Sequence, residues 1–226
     1  MIYKKIIFFC CLPIGLVLSG CKKKEVQLPL IDIPGISEIQ NHSSIWVFLE
    51  KENGNSSARL NKNNKILNTH WIFNIDRSLK MRDVVPILIE MQENRNKDSM
   101  HKKEGMLNYF SYADTYSKKI SLTPFEATSY TIVSSASDTI ASLSEIPCTA
   151  VLEILEDQVR LNNKLIPIAS LADEFSHILS CDGEDPFKVI LLYTGQIPYQ
   201  DYLETKVYLN KNRITCDSTE YLYSVK

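Results

Sequence analysis

Four histidines, His42, His70, His101 and His177, stand in the 226-residue chain, and no two of them have the HxH, HxxxH or HExxH spacing that brings two imidazoles to one metal ion. Asp173, Glu174 and His177 fall within one turn of a predicted helix, close enough to share a cation. Acids in a first helical turn with a histidine behind them are also the ordinary complement of the helix dipole, and that reading is preferred. Ser43 follows His42, but no Gly-x-Ser-x-Gly elbow presents it as a nucleophile. Glu153, Glu156 and Asp157 crowd a predicted turn, where water satisfies them, although glycosidase carboxylates need no local motif. Seven glycines include no phosphate-binding loop. No catalytic, metal or cofactor-binding residue is assigned, and no cofactor is expected. The chain reads as a protein that binds rather than converts. The alternative is an extracytoplasmic hydrolase, or a glycan-binding module built on its eleven tyrosines.

One residue does have a defined chemistry. Lys4 and Lys5 open the chain, and Ile6–Leu18 is an apolar run of about 13 residues, short of the ~20 that a membrane-spanning helix requires. This is the pattern of a signal peptide. Its end, Leu18-Ser19-Gly20-Cys21, resembles a bacterial lipobox, in which cleavage before a lipid-modified cysteine leaves the thioether at the first mature position. Cys21 is therefore the expected lipid attachment, with the membrane as its partner and an extracytoplasmic face of the inner or outer membrane as its location. Loss of residues 1–20 removes two positive charges from a formal net charge of −2, leaving about −4. That balance argues against nucleic acid. Cys148, Cys181 and Cys216 remain, an odd number without a CxxC: one bridge with a buried free thiol and three buried thiols are equally open, a disulfide scaffold is not needed, and no thioredoxin-type redox centre is expected.

Positioning falls to a short list of elements. Ser44–Glu50, Ser57–Asn61 and Trp71–Asp76 read as strands, and Met81–Glu93 as a helix with Val84, Val85, Leu88, Ile89 and Gln92 along one side and Pro86 near its first turn. In the second half, strands are expected at Cys148–Leu155, Gln158–Asn162 and Phe187–Tyr193, with a helix beginning at Ser170 and another at Tyr199–Tyr208. Arg213–Cys216 and Glu220–Val225 read as edge strands around an Asp217-Ser218 turn. The run Ser134–Thr139 has linker composition. The predicted organisation is a signal peptide at 1–20, a lipidated tether at 21–42, a truncated α+β unit at 43–93, a partly packed inter-domain region at 94–143, and an α+β domain at 144–226. The fold class is α+β, two small two-layer domains, each a mixed sheet with helices on one face.

The halves follow one plan, that of a degenerate tandem repeat. Arg59-Leu60-Asn61 answers Arg160-Leu161-Asn162, and residues 71–84 align with 189–202, so that Ile72 meets Ile190, Phe73 meets Leu191, Leu79 meets Ile197, Met81 meets Tyr199 and Asp83 meets Asp201. The second copy holds an additional helix between Pro167 and Gly183. Its turn at Asn163-Lys164, its strand Val189–Tyr193 and its helix start Ile197-Pro198-Tyr199 with Asp201 resemble the periplasmic domain of the ExbD/TolR biopolymer transport family over about residues 148–210, with a weaker echo at 44–93. The resemblance implies an accessory subunit of an ion-driven envelope motor, a non-catalytic domain, and a protein partner or a homodimer. It departs from the family in one respect: the only apolar run, Ile6–Leu18, carries no acid for a proton path, so a binding or scaffolding role is expected.

Overall fold

Side-chain alternation builds the sheets. Trp71, Phe73 and Ile75 enter the main core while Ile72 packs in a small cluster on the reverse face; Val189, Leu191 and Tyr193 face inward while Ile190 and Leu192 face away. The computed structural model describes residues 25–52, 54–61, 66–96, 105–125, 128–178 and 187–223, which form two mixed six-stranded sheets with helices packed on them. The first half comprises β1 (Leu30–Ile31), β2 (His42–Glu52), β3 (Asn55–Leu60), β4 (His70–Ile75), α1 (Met81–Asn96), β5 (Asn108–Asp114) and β6 (Lys119–Phe125). The second comprises β7 (Ser129–Val133), α2 (Ala136–Leu143), β8 (Thr149–Ile154), β9 (Val159–Leu161), β10 (Lys164–Ile166), a 3-10 turn (Ile168–Ser170) leading into α3 (Leu171–Ile178), β11 (Lys188–Thr194), α4 (Tyr199–Lys211) and β12 (Cys216–Tyr223).

Both halves share the order of four strands, β3-β2-β4-β5 and β9-β8-β11-β12, and differ at the outer edge. Beyond β5 the first sheet carries β6, antiparallel, on one edge, while the short β1 continues the edge that β4 occupies; beyond β12 the second carries β7, parallel, and β10 is added beyond β9. A hairpin comes first in each, then parallel pairings to the strand that precedes the long helix and to the strand that follows it. Hence Trp71–Ile75 and Val189–Tyr193 hold equivalent central places, in phase, as the alignment of residues 71–84 with 189–202 requires.

The halves meet about a pseudo-twofold axis. The Tyr199 N–H donates to the Leu79 carbonyl (2.8 Å), and the Met81 N–H to the Ile197 carbonyl (3.0 Å). The Gln200 N–H donates to the Arg77 carbonyl (3.1 Å), and the Arg82 N–H to the Gly195 carbonyl (3.0 Å). Under the alignment, each bond of a pair is the other's mate, and Lys80 faces Pro198 at the centre as an isolated antiparallel bridge. First-turn amides of a helix have no partner within it, so each helix start is satisfied by the other half's turn. Two glutamines reinforce the exchange. The Gln200 side chain of α4 bonds both ways to the Leu30 backbone (2.8 and 2.8 Å), and Gln92 of α1 both ways to Thr128, at the entry to β7 (3.0 and 2.7 Å). Each long helix thus clamps the edge strand belonging to the opposite half. A single buried cluster runs from Trp71, Phe73 and Phe110 through Val84 and Leu88 to Tyr193, Tyr199, Tyr202 and Leu203.

Several sequence expectations need correction. Residues 94–143 are not an inter-domain region: β5 is a central strand of the first sheet, and β7 pairs parallel with β12 in the second. The linker-like run Ser134–Thr139 carries the start of α2, because Ser135, a linker residue by composition, caps a helix by accepting from the Asp138 N–H (3.3 Å). Through Leu143, Ile140 and Ala136, α2 covers the reverse face of the second sheet at Val151, Ile190 and Leu192. The predicted tether at 21–42 is shorter than expected. From Gln27 onward the chain is bonded to the first sheet: β1 pairs with β5, Ile36 bridges Leu122, and the Tyr112 hydroxyl donates to the Ile33 carbonyl (3.0 Å). Gly35 permits the close approach, since a Cβ there would stand 2.3 Å from the Tyr112 oxygen. The C-terminal residues form one interior strand, β12, rather than two edge strands. Pro86 falls inside α1 rather than in its first turn, on an exposed position.

Candidate functional site

Most of the sequence's chemical candidates are occupied structurally. Ser43 and His42 point to opposite faces of β2: the Ser43 hydroxyl pairs with Thr69 Oγ1 (2.8 Å), and His42 Nδ1 lies 2.8 Å from the Ile39 carbonyl. His70 Nδ1 accepts from the Leu107 N–H (3.0 Å). Glu174 is bound by Lys164 Nζ (2.5 Å), which ties α3 to β10; Asp173 is exposed, and the His177 side chain and all of His101 lie outside the described residues. Glu153 is not in a turn but buried in β8, where its cross-strand partner Arg160 and the Tyr223 hydroxyl (2.7 Å) satisfy it. Cys148 and Cys216 are free thiols, and burial pushes the Cys216 thiol up. Cys181 and the lipobox residues Leu18, Ser19, Gly20 and Cys21 lie outside the described residues. Among the described residues, no group of three or more His, Cys, Asp or Glu could hold a metal ion.

A second polar group is wholly internal. Glu220 of β12 has no exposed surface and accepts from Lys206 Nζ (2.8 Å), the Tyr193 hydroxyl (2.9 Å) and the Tyr202 hydroxyl (3.2 Å). Burial, then the Glu220 charge, drives both tyrosines well above their ordinary range. With three donors satisfying the carboxylate, this cluster reads as packing for the second sheet.

The family-like positions separate into two places. Asn163 (φ 69°), with Asn162 (φ 46°), makes the two-residue turn between β9 and β10, and Lys164 begins β10. Ile197, Pro198 and Tyr199 are at the pseudo-twofold crossing, and Asp201 lies in the first turn of α4 beside it. There the two halves leave an open groove of about 450 Å³, lined by Leu30, Arg77, Ser78 and Lys80 from the first half and by Glu156, Asp157, Pro198, Gln200 and Asp201 from the second. Asp157 is held at φ 60° in the β8–β9 turn.

Asp201 is the unusual group. It is 7% exposed, and its Oδ2 has no hydrogen-bond partner among the described residues. In a first helical turn, a carboxylate normally takes the free amides, but the amides of Tyr199 and Gln200 are given to Leu79 and Arg77 across the axis. Burial, with Asp157, Glu204 and Glu156 nearby, pushes the Asp201 carboxyl up to about 6, and Lys80 opposes the shift. Because the folded value exceeds the unfolded one near ~3.9, ionised Asp201 costs stability above about pH 6, and the cost disappears below about pH 4. Asp201→Asn should therefore raise the melting temperature at pH 7.5, with the gain closing on acidification to about pH 4; thermal scans across that range check it.

The repeat marks Asp201 and the family-like helix start marks Pro198, but the sequence does not mark Arg77, Lys80, Leu30 and Gln200, which come from the other copy or meet it only across the axis. The sole sequence signal for them was the repeat itself. Comparison with family models, with curated proteins and with solved structures gives no match.

Proposed function

We propose that this chain is a lipid-anchored, non-enzymatic binding or scaffolding subunit of the bacterial cell envelope, accessory to an ExbD/TolR-type transport or energy-transduction system. The observation that carries the reading is the pairing of a lipobox-like Leu18-Ser19-Gly20-Cys21 with two fused copies of one α+β unit. No helix among the described residues is long and apolar enough to cross a membrane, so attachment in this reading rests on Cys21. The copies satisfy one another's helix starts within a single chain, which favours a different protein over a homodimer as the partner.

The anchor is also close. Glu25 is the first described residue, and from Cys21 to Glu25 the chain can reach at most about 14 Å. With Cys21 acylated, the fold is held near the headgroups rather than on a long stalk. Mass spectrometry of protein extracted from membranes should find residues 1–20 removed and acyl mass on Cys21; an unmodified Cys21 overturns the anchor. Affinity purification from the same membranes should recover an ExbD/TolR-type motor subunit at a fixed ratio, and a monodisperse chain with no such companion overturns the accessory role.

A further inference from the structure

We infer that the open face of the first sheet docks on the phospholipid bilayer, with Leu30, Trp46, Phe48 and Ile120 entering the boundary between headgroups and acyl chains. This face is the reverse of the one that meets the main core. Leu30, Ala113 and Ile120 stand side by side on β1, β5 and β6, since Leu30 pairs with Ala113 and Ala113 with Ile120. Leu30 is 48% exposed and Ile120 58%. Trp46 and Phe48 on β2 point the same way and are half-buried. Trp46 pairs in register with Asn74, and an open groove of about 250 Å³ between Trp46 and Ile120 is lined by Ile39, Ile72 and Leu122. Ile36, bridged to the edge of β6, and Tyr116, in the β5–β6 turn, are exposed and extend the surface.

Single exposed hydrophobic residues are ordinary, but these share one sheet face, and the other copy shows what such a face otherwise requires. In the second half the aligned residues Ile190 and Leu192 are buried under α2, through Ala136, Ile140 and Leu143. The corresponding approach to β2, residues 32–41, holds no helix. Its Ile39 packs on Ile72, Tyr109 and Leu122, while Leu30 and Ile120 stay exposed. The first sheet thus keeps the apolar face without the cover.

The anchor selects the occupant. Asp76, just past β4, continues the side on which Ile72 and Asn74 lie, and it accepts the Gln27 N–H (3.1 Å). The Gln27 carbonyl in turn accepts from the Arg77 N–H (2.8 Å). The chain therefore joins the fold at the margin of the open face, three residues before Leu30. Cys21 lies six residues before Gln27, at most about 20 Å of chain. Acylation of Cys21 brings this face to the bilayer, where interfacial apolar groups sit ~5–10 Å deep. Trp46 and Tyr116 suit that depth, each with an apolar ring and a polar group. The choice of a bilayer rests on the lipid-anchor reading; the exposure of the face does not.

The chain's two tryptophans test it, because Trp46 lines the open face while Trp71 is completely buried in the core. The mature chain is extracted from membranes and reconstituted into phosphatidylcholine vesicles brominated near the headgroup end of the acyl chains, with unbrominated vesicles as reference. Bromine should quench about half of the indole emission, the share of the one tryptophan that reaches the boundary. Trp46→Phe should abolish the quenching. Leu30→Glu with Ile120→Glu, both at exposed positions, should cut it by about threefold or more. Leu165→Glu, at an equally exposed position on the outer edge of the second sheet, should leave it unchanged. Circular dichroism of the variants separates lost docking from lost fold. Trp46 emission indifferent to bromine assigns the face to a protein partner and overturns the inference. Full quenching in a folded double-glutamate variant also overturns it. Acyl mass on Cys21 is read on the same sample. Quenching without acylation overturns the anchor and supports the docking, whereas acylation without quenching overturns the docking alone.

Discussion

Replacing Lys206 with methionine should destabilise the fold by about 3 kcal/mol, the lower end of the ~3–5 that follows when one partner of a buried pair is removed. Glu220 is fully buried, and Lys206 Nζ stands 2.8 Å from it with only 14% of the lysine side chain exposed. Methionine keeps the length of the stem and removes the charge. Tyr193 and Tyr202 continue to donate to the carboxylate, which keeps the loss from the upper end of the range. In chemical denaturation the unfolding midpoint should drop with little change in slope. The double variant Lys206→Met/Glu220→Gln should recover more than half of the loss, and a double variant as unstable as the single one would show that lost packing, rather than charge, is responsible.

Trp71→Ala should cost more, about 3–5 kcal/mol. The indole is completely buried at the start of β4, meets Phe73 edge-on (6.3 Å between centroids), and donates Nε1–H to the Ile66 carbonyl (2.8 Å). The Arg95 guanidinium lies over the ring at 3.9 Å while donating to the carbonyls of Leu67 and Thr69 and to Asn108. Burial pulls the Arg95 value down to about 10, still far above neutrality, so the cation persists and needs these acceptors. Losing the indole opens a cavity and strips one face of a buried charge together. Since a single buried cluster spans both halves, unfolding should remain one transition, with tyrosine signals from α4 lost together with those of the first sheet. Two separate transitions would show that the shared core does not couple the halves.

What the sequence revealed follows from how each element is buried. The strands β2, β4, β8 and β11 announce themselves because branched and aromatic residues alternate or run together between polar turns. The strand pair β5–β6 did not, because several of its buried positions are hydroxylic: Ser111, Ser121 and Thr123 are inside, and Ser111 bonds the Phe73 carbonyl (3.1 Å) and Asn74 (2.8 Å). A satisfied polar side chain erases the apolar period from which a strand is read. In β12 the same happens with Glu220, whose partners Tyr193, Tyr202 and Lys206 stand on β11 and α4. The crossing groove was half visible. Asp201 could be selected by aligning the copies, but Arg77 and Lys80 lie more than a hundred residues away and approach only because the turns cross.

Fusing the two copies frees them from having to be identical. In an assembly of two separate chains every feature off the axis occurs twice; here the position aligned with Asp201 is Asp83, half-buried and 3.8 Å from Arg82. The two sides of the junction have therefore been able to diverge, an aspartate in each now standing in different surroundings, while the joint itself stays closed.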